Sequence, residues 1–122
     1  MQQIIDAITN GECVLFAGAG VSRDSGLPGW PGLGEMLRNK LISEGKLPPK
    51  YSDIIALLCQ DPKDVPAAID LILSAVPRKD VVQALRTILF PSKQSKVCPI
   101  IKKLGLRGVV TTNYDRVVDS LV

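Results

Sequence analysis

The sequence predicts an α/β fold: a partial parallel sheet, two of whose strands are visible, joined by a long helical crossover. Three observations carry this. Cys13 to Ala17 form a continuous apolar run bounded by glycines, which suits a strand buried on both faces. The stretch "LRGVVTTNYD", residues 106–115, is the second strand, with β-branched Val109 and Val110 followed by Thr111 and Thr112. Between them nothing reads as a strand, and the intervening segments show helical spacing.

The elements follow in order. Ile4, Ile5 and Ile8 give residues 2–10 a helical period, with Gly11 in the stop position. After the first strand comes a glycine-rich loop, "GAGVSRDSGLPGW", residues 18–30. Residues 31–45 place Leu33, Met36, Leu37, Leu41 and Ile42 on one face and end at Gly45. Pro48 and Pro49 break the chain, and short helices over 52–61, 64–76 and 78–90 are punctuated by Pro62, Pro77 and Pro91. Pro66 is tolerated only in the first turn of its helix. One more helix spans 95–105, with Lys102 and Lys103 in its last turn and Gly105 as its stop. Finally "RVVDSLV" starts an amphipathic helix whose apolar face is unfinished, so residues 1–122 are expected to be the N-terminal part of one larger domain.

Composition narrows the function classes. The chain has 122 residues, 46% hydrophobic and 22% charged, and few aromatics, so aliphatic residues must fill the core. A net charge of +3 with scattered basic residues gives no nucleic-acid signal; the group Lys93, Lys96, Lys102, Lys103 and Arg107 reads first as a solvated face. Cys13, Cys59 and Cys98 form no Cys-x-x-Cys pair and read as reduced core or near-core residues of a cytoplasmic protein, with no metal site. The N-terminus lacks a basic region followed by an apolar run, and no segment suits a membrane span. The chain contains no histidine, so these residues supply no Ser/His or Cys/His pair and no imidazole base.

Two motifs lie at the carboxyl ends of the expected strands, where open α/β sheets bind ligands. The first is Gly18, Gly20, Ser22 and Gly26; the second is Asn113 and Asp115. Glycines admit close backbone approach to a phosphate, and free N–H groups supply donors. The spacing is neither G-x-G-x-x-G, whose third glycine would fall on Arg23, nor a P-loop. A structural turn at the glycines, and helix capping by Asn113 and Asp115, are the plainer readings of the same residues. Asp24 reads as an exposed loop charge and Trp30 as a packing residue.

"GAGVSRDSGLP" followed by "TTNYD" resembles the sirtuin, or SIR2-like, superfamily, with signatures GAG-[IV]-S-x-x-SG-[IL]-P and T-x-N-x-D. The resemblance implies an atypical Rossmann-like fold that binds NAD+ as substrate and cleaves the bond between nicotinamide and ribose. It assigns Gly18, Ala19, Gly20 and Ser22 to the phosphate and ribose loop, together with Gly26, Pro28, Trp30 and Thr112 as cofactor-binding positions. It makes Asn113 the catalytic residue and Asp115 part of the nicotinamide pocket. An uncharged amide suits this role, since it can bind ribose hydroxyls or orient water without opposing a cationic transition state.

Protein-deacylating members continue Asp-Phe-Arg after the proline, where this chain has Gly29, Trp30 and Pro31, and they have glutamine at the position of Thr112. Trp30 is then the aromatic available to shield nicotinamide. The "GLPGW" and "TTNYD" stretches are more similar to SIR2-like NAD+ hydrolases of bacterial antiphage defence. The resemblance places the family's catalytic histidine and zinc module beyond residue 122, so this piece alone is expected to be inactive. It also allows a homo-oligomer and a C-terminal sensing domain or partner. An NAD-dependent deacylase and a catalytically silent NAD or ADP-ribose sensor are the alternatives.

Overall fold

A computed structural model describes residues 1–90 and 93–121. They divide into two compact units, one formed by residues 1–27 together with the described residues from Phe90 onward, the other by Pro28–Leu89.

The first unit contains helix α1 (Gln2–Thr9), strand β1 (Val14–Ala17), helix α2 (Ala19–Asp24), helix α7 (Cys98–Lys102), strand β2 (Gly108–Thr111) and a terminal 3-10 segment, Val117–Leu121. The strands pair in parallel, with Val14 opposite Gly108 and Ala17 opposite Thr111, so their carboxyl ends lie side by side. The Arg107 N–H donates to the Cys13 carbonyl just before the ladder, at 2.8 Å. A small core gathers Leu27, Cys98 and Val117, with Val21 and Leu121 against it.

Three expectations are corrected here. The first strand is not buried on both faces: Val14 and Phe16 are exposed, the latter at 68%. A two-stranded ladder offers each strand one paired edge, and among the described residues nothing covers these side chains. The helix expected over residues 2–10 is present as α1, with Ile4 and Ile5 on an exposed face. The glycine-rich stretch is not all loop, because residues 19–24 wind into α2. The closing segment is 3-10 rather than α-helical, with Val117 and Val118 as its buried residues. Pro91 and Val122 lie outside the described residues.

The second unit is helical: α3 (Trp30–Ser43), a 3-10 turn (Pro49–Tyr51), α4 (Ser52–Leu58), α5 (Val65–Ala75) and α6 (Arg78–Ile88). Helix α3 packs against α4, α5 and α6. Leu37 and Leu41 from its inner face join Ile55, Cys59, Ala68, Ile72, Val81 and Ala84 in one apolar cluster. Met36, assigned from its spacing to the same face, is instead exposed, because buried Gly34 brings the helix surface close to Cys59 and turns Met36 outward. Pro66 occupies the first turn of α5 as its fixed φ requires. No helix among the described residues is long and apolar enough to cross a membrane.

Candidate functional site

The chain leaves β1 at Gly18, whose backbone is extended, and enters α2 at Ala19. No side chain caps this helix, and its first-turn N–H groups have no intrahelical acceptor apart from the Val21 N–H, which reaches the Gly18 carbonyl at 3.2 Å. A Cβ added at Gly18 or Gly20 would meet nothing within 4 Å. Packing within the chain therefore does not demand glycine at either position. Only Gly20 lies within the helix, where a glycine costs about 0.5–1 kcal/mol relative to alanine; Gly18 is the N-cap, a position that glycine tolerates well.

Gly26 has a different task. Its φ of 81° is the left-handed conformation that ends a helix. Its N–H donates to the Arg23 carbonyl and the Leu27 N–H to the Ser22 carbonyl, closing α2 in a Schellman motif. Structural need alone accounts for this glycine.

Parallel pairing sets the second motif beside the first. Thr111 ends β2 and its hydroxyl donates to the Ala17 carbonyl at 2.8 Å, tying the two strand ends together. The Thr111 oxygen in turn accepts the Asn113 N–H at 3.0 Å, which turns the chain back toward α2. The Asn113 side-chain amide then donates to the Gly18 carbonyl and to Ser22 Oγ, both at 2.9 Å. Ser22 donates to Asp115 Oδ2 at 2.6 Å, and Asp115 Oδ1 accepts the Val117 N–H at 2.9 Å.

The direction of every bond in this chain is fixed by chemistry. The Gly18 carbonyl can only accept, so the amide nitrogen of Asn113 faces it. The Asp115 carboxylate accepts from the Ser22 hydroxyl, leaving the Ser22 oxygen to accept from Asn113. Asn113 Oδ1 is left without a hydrogen-bond donor among the described residues. The result is a half-buried amide, locked in orientation, with its acceptor oxygen available.

Gly18, Ser22, Asn113 and Asp115 are thus brought together, while Ala19 and Gly20 are exposed at the mouth of the same turn. Ser22 is only 4% exposed and its hydroxyl is committed on both sides, so it positions Asn113 rather than facing solvent. Asp115 also serves the fold, through Val117. Capping and site-building are here one arrangement. Thr112 is exposed, and its side chain makes no hydrogen bond among the described residues. Pro28 and Trp30 belong to the second unit, where Gly29 caps α3 and Trp30 opens it, half exposed.

Asp24 is not an exposed loop charge: it ends α2 and is partly buried. Its Oδ2 accepts the Ser95 hydroxyl at 2.8 Å, the Lys96 N–H at 2.5 Å and the Val97 N–H at 3.1 Å. Ser95 Oγ also accepts the Cys98 N–H at 3.0 Å, so one carboxylate fastens the end of α2 to the entry of α7. The Ser95 hydroxyl, foremost, and the Val97 N–H hold the Asp24 carboxyl below its ordinary value, with the Lys96 N–H and the Lys93 charge adding to the effect against partial desolvation. An aspartate two residues beyond Ser22 gave no local sign of a partner some seventy residues away.

All three cysteines are free thiols, with Cys59 and Cys98 buried and Cys13 partly so. No cluster of three or more metal-ligating side chains occurs among the described residues. Compared with known protein families, curated proteins and solved structures, the chain matches none of them.

Proposed function

We propose that the turn between β1 and α2, together with Asn113, is the NAD+ site of a SIR2-like NAD+ hydrolase whose output is destruction of the dinucleotide, in antiphage defence. The observation that carries this reading is the orientation of Asn113: the amide nitrogen is consumed by Gly18 and Ser22, and Oδ1 is left as an acceptor at the joined strand ends. Bare backbone at Gly18 and Gly20 suits close approach of a pyrophosphate. A Rossmann-like sheet of more strands belongs to the same proposal.

On this reading Asn113 Oδ1 accepts a hydrogen bond from a ribose hydroxyl or from the attacking water. The C1′–N bond breaks, its electron pair leaves with neutral nicotinamide, and water adds at C1′ to give ADP-ribose and a proton. A neutral carboxamide favours this because positive charge grows on the ribose ring while the acceptor dipole faces it. Asp115 and Ser22 act through Asn113, preventing the amide from flipping. With no histidine in these residues, the proton acceptor for water is not supplied by an imidazole of this segment.

The test follows the products. Full-length protein incubated with NAD+ is expected to release nicotinamide and ADP-ribose in equal amounts without an acyl-lysine peptide. Turnover only when an acetyl-lysine peptide is added, with loss of the acetyl group, would replace hydrolysis by deacylation. Binding of NAD+ without turnover under either condition would make the site a sensor.

A further inference from the structure

The first unit holds a concavity of about 580 Å³, built by the end of α2, the entry of α7 and the terminal 3-10 segment. Its size falls within the range of small-molecule sites, which run roughly 300–1,000 Å³. Cys98, Pro99 and Val117 give it apolar walls, while Lys93, Lys102 and Arg116 line it with cations; among the described residues no carboxylate lines it.

The nearby acids are already engaged. Asp24 is occupied by Ser95 and two backbone N–H groups, although the Lys93 charge acts on it. Asp119 pairs with Arg116 at 3.2 Å. Lys93 and Lys102 have no carboxylate within ion-pair distance among the described residues. Apolar walls beside two lysines that make no ion pair among the described residues suit a molecule that is apolar in body and anionic at one end.

We propose that this cavity is a ligand site, separate from the turn at Gly18, for a small organic anion with an alkyl or aryl body. Its carboxylate or phosphate meets Lys93 and Lys102, and its body lies against Cys98, Pro99 and Val117. The proposal is independent of the NAD+ reading, since no residue of the cavity is used there for substrate contact.

The experiment titrates full-length protein calorimetrically with octanoate, octyl phosphate and uncharged octanol. In parallel, iodoacetamide labelling is followed cysteine by cysteine by mass spectrometry. Both anions are expected to bind more tightly than octanol, and to slow alkylation of Cys98 but not of Cys13. The preferred head group shows in the comparison of octanoate with octyl phosphate. The exposed-charge variant Lys93→Glu/Lys102→Glu is expected to lose about fivefold in affinity for the anions, as two partly exposed ion pairs imply, and nothing for octanol. Octanol binding as tightly as the anions, binding unchanged in the charge-reversed variant, binding without protection of Cys98, or no binding of either anion would each overturn the proposal.

Discussion

Gly34 is the position where the sequence leaves the structure least freedom. It sits in the first half of α3, buried, and a Cβ built on it would stand 2.5 Å from Cys59 Sγ and 3.5 Å from Val65 Cγ1. Heavy atoms of this kind rest about 3.5–4.0 Å apart, so Gly34→Ala forces α3 and the α4 end to separate by about an ångström or drives Cys59 from its rotamer. Cys59 is 1% exposed, and a close-packed interior offers its sulfur no ready alternative. Overpacking of this sort costs about 1–3 kcal/mol, while replacing a helical glycine by alanine returns about 0.5–1 kcal/mol. The net expectation is a loss of about 1–2 kcal/mol.

The same substitution in a Cys59→Ala background has no sulfur to meet. There only the helix preference remains, and Gly34→Ala becomes neutral or slightly stabilising. The pair should therefore show a coupling of about 2 kcal/mol in a double-mutant cycle. Urea unfolding followed by far-ultraviolet dichroism and by the fluorescence of Trp30, which lies on α3 itself, reports the four stabilities. An alanine at 34 that costs under about 0.5 kcal/mol, or that costs the same in both backgrounds, would refute the packing argument.

Three further outcomes follow from other parts of the chain. Truncating fully buried Ile72 to alanine should destabilise the helical unit by about 2–5 kcal/mol, read as a lower urea midpoint with little change in slope. Because Asp24 has its carboxyl held below the ordinary value, its contribution is present above the unfolded value near 3.8 and is lost as pH falls through the folded one. Asp24→Asn should accordingly flatten the acid limb of the stability profile; Glu44, lowered by hydrogen bonds from Lys40 and then Lys46, leaves a residual slope in the same window. Ser22→Ala removes a nearly buried hydroxyl from between Asn113 and Asp115 and should cost about 1–3 kcal/mol in thermal or urea unfolding. On the functional reading it should also lower kcat more than it changes KM.

How far the sequence discloses this molecule depends on how local each signal is. Helix periods, proline breaks and the glycine stop at Gly45 are written in neighbouring residues, and α3 to α6 appear where those residues place them. Both strands and their parallel order are legible for the same reason. Burial of β1 was not, because an apolar run records what a strand tolerates on its faces and not what stands over them. The six-residue α2 hides inside a glycine-rich stretch whose composition favours a loop. Nor does a change of composition mark Leu27–Pro28 or Leu89–Phe90, where one compact unit gives way to the other.

The site divides along the same line. That Gly18 and Asn113 lie at adjacent strand ends follows from parallel pairing and could be read in advance. The relay from Asn113 through Ser22 to Asp115 could not, since it joins residues more than ninety positions apart. Nor could the burial of Ser22 between Asn113 and Asp115, or the positive φ with which Gly26 ends α2, be read from neighbouring residues. The clamp of Asp24 on Ser95 is equally long-range.

On the proposed function, Asn113 is the residue through which the chain would act on NAD+. Its most direct test is the rate of NAD+ consumption by full-length protein and by Asn113→Ala, with NAD+ binding measured on both by calorimetry. On that proposal the variant still binds the dinucleotide while turnover falls by about a hundredfold or more, the scale on which an oriented polar group at a developing charge acts. Undiminished consumption by Asn113→Ala would contradict it.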